Sequence, residues 1–302
     1  MTGPGGRRWP TALCASLVVA LLALALTACG KGSGAAINPA PELQPEFIVP
    51  APAGALSVAA PAANGLMWVL AGNGSVQTLR QIDLRTRTDQ AAAPAPKSAV
   101  AIAESATGLL GVGLATASTG ALELCNGESA SPLAAVAVGA PVRSVAAGDN
   151  GGEFYVLDGG VASASVTVVD GSDDQIQETV PVARNAVAAV PDPGQDALWV
   201  LQPNGVVDEV ALAGGKITTQ FTIGYSGRAL ALSPDGNTLY VLKGRGSIRN
   251  VAVVDLATEI VRRVLPAPAD AVGLVLSPDG STLYDFVGTP TAGNIQAFSV
   301  GS

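Results

Sequence analysis

The chain has 302 residues, 48% of them hydrophobic, and a formal net charge of −8 at pH 7. That acidity argues against nucleic acid as a partner. There is no histidine, which excludes histidine metal sites, serine–histidine triads and histidine acid–base catalysis.

Residues 1–10 hold Arg7 and Arg8 and no acid, residues 11–27 are almost wholly apolar, and Leu26-Thr27-Ala28-Cys29 follow. A charged start, an apolar middle and a small-residue exit make a secretion signal, assigned here to residues 1–28. The exit resembles the lipobox of bacterial lipoproteins. The resemblance rests on four residues behind an apolar run. It implies that the Cys29 thiol accepts diacylglycerol and that the mature chain starts there. The membrane would then be a partner through palmitate-type chains, and the domain would lie on the outer face of the cytoplasmic membrane. An uncleaved anchor is the alternative. The run of about 17 apolar residues sits at the short limit for spanning, and both readings export the domain. Arg7-Arg8 leaves twin-arginine export open beside ordinary secretion, although the flanking residues match that motif poorly.

Residues 29–45 are small, polar or proline and read as a flexible tether, with a mean reach of roughly 20 Å. Of the three cysteines, Cys14 lies in the signal and Cys29 is assigned to lipid. Cys125 is left alone, so no intramolecular disulfide is expected. The exported domain, residues 46–302, must rely on its core.

The domain carries an internal repeat. Pro-Ala-Pro occurs at 50–52, 94–96 and 266–268, spacings of 44 and of four times 43. A second ruler is an aromatic in a short apolar run at Trp68, Tyr155, Trp199, Tyr240 and Tyr284, with spacings of 87, 44, 41 and 44. The skipped copy has Leu109-Leu110-Gly111-Val112 at the corresponding place. The clearest copy, from Ala229 to Val264, reads as four β-branched runs separated by turn residues, so the class is all-β. A four-stranded unit repeated at this period is a β-propeller blade. Copies start near 50, 94, 138, 181, 224 and 266, which makes six blades, with seven as the alternative count. The last copy lacks its fourth strand. Residues 46–49 precede Pro50 much as 259–265 precede Pro266, and are expected to supply that strand and close the ring.

Ser233-Pro234-Asp235-Gly236-Asn237-Thr238-Leu239-Tyr240-Val241, followed by Val251-Ala252-Val253-Val254-Asp255, resembles the YVTN-type propeller repeat, and residues 277–284 repeat its first half. The earlier copies depart from it. The resemblance implies the same fold. Relatives with this repeat include secreted binding proteins and lactonase-like enzymes.

Aligning the copies places Lys97, Arg143, Arg184 and Arg228 within one position of the same register, just before the inner strands. They are the candidate ligand-binding residues: a cationic collar for an anionic ligand or acidic partner. The competing reading is a solvated loop end. Asp149, Asp192, Asp235 and Asp279 fall in turns between first and second strands and are read as turn residues. Gly72, Gly74, Gly244 and Gly246 are hairpin glycines. Cys125, with no histidine to act as its base, is read as a buried structural thiol. Trp68 and Trp199 are read as packing between blades. No calcium loop, no catalytic set and no cofactor is expected. The reading is a monomeric, membrane-anchored binding or scaffold module for an envelope protein or anionic ligand. The alternative is a lactonase-like hydrolase of sugar derivatives, suggested by fold analogy alone.

Overall fold

A computed structural model describes residues 44–72, 76–148, 151–160, 162–246, 248–289 and 291–300. The expectations for residues 1–43, including the signal, Cys29 and most of the tether, fall outside the described residues, as do those for Gly74 and Asp149.

The described chain forms β-strands in six four-stranded antiparallel sheets. It enters as β1 (Phe47–Ala51). Blade one is β2 (Ala55–Val58), β3 (Leu66–Gly72), β4 (Gln77–Asp83) and β5 (Thr88–Pro94). Blade two is β6 (Ala99–Glu104), β7 (Leu109–Ala115), β8 (Gly120–Asn126) and β9 (Pro132–Ala137). Blade three is β10 (Val142–Ala147), β11 (Glu153–Gly159), β12 (Ala164–Asp170) and β13 (Gln175–Val182). Blade four is β14 (Ala188–Pro191), β15 (Ala197–Leu201), β16 (Val206–Ala211) and β17 (Ile217–Thr222). Blade five is β18 (Gly227–Leu232), β19 (Thr238–Arg245), β20 (Ile248–Asp255) and β21 (Ile260–Ala267). Blade six is β22 (Ala271–Leu276), β23 (Thr282–Gly288) and β24 (Gly293–Ser299), completed by β1. The protein is a six-bladed β-propeller, and its ring closes through the N-terminal strand as the repeat implied. Among the described residues no helix is long and apolar enough to cross a membrane.

The alternation of the strands packs each blade on its two neighbours, so the core is a ring of six inter-blade clusters, with Trp68, Tyr155, Trp199, Tyr240 and Tyr284 each in one of them. Their rings are at most 8% exposed. Trp68 Nε1 also donates to the Gly127 carbonyl of blade two, 2.6 Å away. Blade two has Gly111 at this position. A Cβ there would meet the Phe154 ring of blade three at 2.7 Å, and Phe154 is fully buried. The neighbouring blade therefore supplies the aromatic that the repeat has lost.

The turns explain the recurrent acids. In Ser233-Pro234-Asp235-Gly236 the Ser233 hydroxyl donates to Asp235 and accepts from the Thr238 amide at 2.9 Å. Asn237 N–H also donates to Asp235, at 3.1 Å. Asp279 repeats the pattern with Ser277 and Ser281. The Ser277 and Ser281 hydrogen bonds to its charged form hold its pKa down at about 2. Asp192 instead accepts from the indole of Trp199 at 3.1 Å. Cys125 lies in β8, 1% exposed.

Candidate functional site

The six inner strands β2, β6, β10, β14, β18 and β22 stand around a central cavity of about 550 Å³. Its walls are mainly aliphatic, from Val58, Ile102, Val145, Leu230 and Leu274, with the Phe286 ring covering Gly273. Antiparallel order sends alternate connections to opposite ends of the cavity. One end collects the starts of the inner strands, the hairpins between second and third strands, and the links from one blade to the next. The other end collects the first-to-second and third-to-fourth turns.

At the first end the inner strands open on a bulge. The ladder slips by one residue at Leu56, Val100, Arg143, Arg228 and Val272. In blade four Val187 stands in the corresponding place, its N–H bonded to the Leu201 carbonyl. All six residues line the cavity mouth. A bulge re-aims the extra side chain, here toward the rim. Arg143 donates Nε to the Gly159 carbonyl at 2.8 Å, and Arg228 donates Nε to the Gly244 carbonyl at 3.3 Å. Both acceptors are glycines that start a hairpin at positive φ, 111° and 138°. The two guanidinium groups are thus held the same way, over the tops of blades three and five.

Lys97 and Arg184 do not share this register. Each lies three residues ahead of the bulge position, exposed in the turn before β6 and before the inner strand of blade four. The sequence alignment merged two positions that strand pairing places three residues apart. All four cations nevertheless lie at the same end of the ring. Three more, which the alignment missed, come from the β19–β20 hairpin. Lys243 donates to the Ile223 carbonyl. Arg245 donates to Ser226 Oγ at 2.8 Å and lies 5.9 Å from the Tyr225 ring centroid. Arg249 donates to the Ala269 and Gly244 carbonyls, each at 3.1 Å. Burial lowers the Arg249 pKa, and Arg228 beside it adds to this, while Asp270 and Asp285 act the other way.

Against these seven cations, Asp270 is the one exposed acid among the described residues of that face. The opposite face is acidic: Asp83, Glu128, Asp170, Asp173, Asp174, Asp192, Asp196, Asp235, Asp255, Glu259 and Asp279 are offset by Arg85, Arg87, Lys216 and Arg262. Glu104 sits on the cavity wall toward this acidic end, its pKa raised by burial to about 7. The net negative charge of the chain therefore hides a strongly polarised disc.

Among the described residues, Asp158, Asp208 and Asp285 are the carboxylates that are at most 1% exposed. Asp158 is bonded by Ser165 and Thr167 at 2.7 and 3.0 Å, and Asp208 by Gln202 and Gln220 at 2.7 and 2.6 Å. Asp285 is 0% exposed and neither of its oxygens has a hydrogen-bond partner. It pairs across the ladder with Leu274 at the position held by Val69, Val112, Val156, Val200 and Val241 in the other blades. Burial pushes its pKa up to about 8, with Arg249 opposing the shift.

Neither a protein-family model nor a curated protein matches the chain. Solved structures match its shape. Hydrazine synthase of Kuenenia stuttgartiensis superposes with a TM-score of 0.60 at 16% identity, covering 77% of this chain and 73% of that one. The β-propeller domain of Cps50 (Swd1) from Myceliophteria thermophila superposes with a TM-score of 0.61 at 11% identity, covering 86% of this chain and all of that one. Both likenesses are of fold. The class that the geometry defines is the six-bladed β-propeller.

Proposed function

We propose that this chain is an extracytoplasmic lipoprotein, anchored through Cys29, whose propeller binds an anionic partner on its cationic face. The observation that carries the reading is the segregation of charge between the two ends of the ring. A face bearing one sign of charge attracts and orients the opposite sign. The signal-like N-terminus and the Leu-Thr-Ala-Cys exit support the anchor. The partner is an envelope protein with an acidic surface or another anionic ligand of the envelope.

The test is cross-linking in native membranes followed by purification of the full chain. A specific partner should accompany the native protein, and Lys97→Glu with Arg184→Glu should reduce its yield about tenfold, the equivalent of about 1.4 kcal/mol. Both side chains are exposed in turns, so the fold should tolerate the changes. Equal capture by the variant would remove the cationic face from the account. Mass spectrometry of the N-terminal peptide reads the anchor separately: a diacylglyceryl adduct is expected on Cys29, and Cys29→Ser should abolish it.

A further inference from the structure

The cationic face also carries exposed apolar side chains. Ile248 is 69% exposed, Val76 66% and Tyr225 59%. All three lie in connections at this end of the ring, Val76 in the β3–β4 hairpin, Ile248 at the start of β20 and Tyr225 before β18. Leu56 and Val272, 43% and 40% exposed, stand at the cavity mouth on the same side. Cations flank them: Arg245 lies against Tyr225, and Arg249 follows Ile248. Four of the seven cations, Arg228, Lys243, Arg245 and Arg249, come from blade five, and Lys97, Arg143 and Arg184 extend the charge to blade three and to the links before blades two and four. A cationic face with apolar tips among its charges complements a planar anion that has an apolar layer beneath it.

We propose that the cationic face docks flat on a lipid bilayer containing anionic headgroups, with Ile248, Val76 and Tyr225 entering the interface. This rests on the cationic face being the working face and names what it meets. The opposite, acidic face is repelled by the same surface, so the charge distribution fixes the orientation.

The experiment uses the full chain reconstituted in vesicles of phosphatidylcholine alone or with about 30% phosphatidylglycerol, the acyl chains dibrominated. Ile248→Trp serves as the depth reporter against the unsubstituted protein, whose Trp68 and Trp199 are buried and whose Trp9 contributes equally to both. Quenching of the reporter should appear with phosphatidylglycerol, be absent with phosphatidylcholine alone, and disappear in 1 M salt, where the screening length is about 3 Å. Adding Lys97→Glu and Arg184→Glu should lower the quenched fraction at least about tenfold, at roughly fivefold per charge. Equal quenching in both vesicles, or none in either, overturns membrane docking. A parallel titration with soluble polyglutamate separates the two levels. Polyglutamate binding without quenching leaves the cationic working face standing and replaces the bilayer with an acidic polypeptide. Failure of both removes the working face as well.

Discussion

Phe47 pairs with Ala297, so the first described strand and the last one share a sheet. The ring is closed by two antiparallel strands from opposite ends of the chain, and no blade is left with an open seam. The Glu46 N–H extends the ladder to the Ala297 carbonyl at 2.8 Å. The Arg87 guanidinium of blade one lies 5.1 Å from the Phe47 ring centroid, joining the closing strand to the next blade.

That closure should be measurable at Val49, which is fully buried opposite Ile295. Val49→Ala is expected to cost about 2 kcal/mol from the lost methyl groups and the space left behind. Ile48→Ala, on the exposed side of the same strand, should stay within about 0.5 kcal/mol. Denaturant midpoints of the two variants decide it, and equal effects would mean that β1 does not close the ring.

Asp285→Val should stabilise the protein, and the gain should grow with pH. The folded-state pKa is raised from 3.8 to about 8, so the native state keeps a proton that the unfolded chain loses. Stability then falls as pH rises through that window and levels above it. The variant returns blade six to the valine of the other five and lacks this loss. Asp279, lowered to about 2, acts with the opposite sign: its contribution is present above 3.8 and is lost as pH falls toward 2. Denaturation of native and Asp285→Val proteins between pH 4 and 9, read as a difference, isolates Asp285. A flat difference would show that Asp285 is paired or hydrated in solution.

Cys125 should resist alkylation in the folded protein. Burial first, then the Glu123 carboxylate, pushes its thiol up to about 12, so the reactive thiolate is scarce at pH 8. Peptide-resolved mass spectrometry after iodoacetamide treatment should find Cys125 unmodified until denaturant is added. Rapid labelling of native protein would contradict its burial.

Gly111 and Phe154 should be energetically coupled. Gly111→Ala sets a methyl against the ring and is expected to cost about 1–3 kcal/mol. Phe154→Ala alone should cost about 3–5 kcal/mol. The double variant should cost less than the sum, because the ring that opposes the methyl is gone. Strict additivity would place the ring elsewhere.

Much of the fold was legible because a propeller is periodic and each blade is written locally. The repeat of Pro-Ala-Pro, the recurring aromatic and the Ser-Pro-Asp-Gly turns located the six blades, and the unmatched last copy pointed to residues 46–49 as its missing strand. The candidate site was legible only in part. Lys97, Arg143, Arg184 and Arg228 were found by alignment, but the bulge that separates Arg143 and Arg228 from the turn cations is a feature of backbone pairing. Lys243, Arg245 and Arg249 escaped because they lie in a hairpin rather than before an inner strand.

By itself, then, the sequence determined the all-β class, the period and the closing strand and pointed to six blades, since these follow from short-range patterning repeated along the chain; pairing of the strands into six sheets decided six over seven. Only the tertiary structure decided that the net acidity divides into a cationic and an acidic face, that Phe154 fills the place opened by Gly111, and that Asp285 has no hydrogen-bond partner. Each of these depends on which loops antiparallel pairing carries to the same end of the ring, or on contacts across a blade interface, and linear spacing encodes neither.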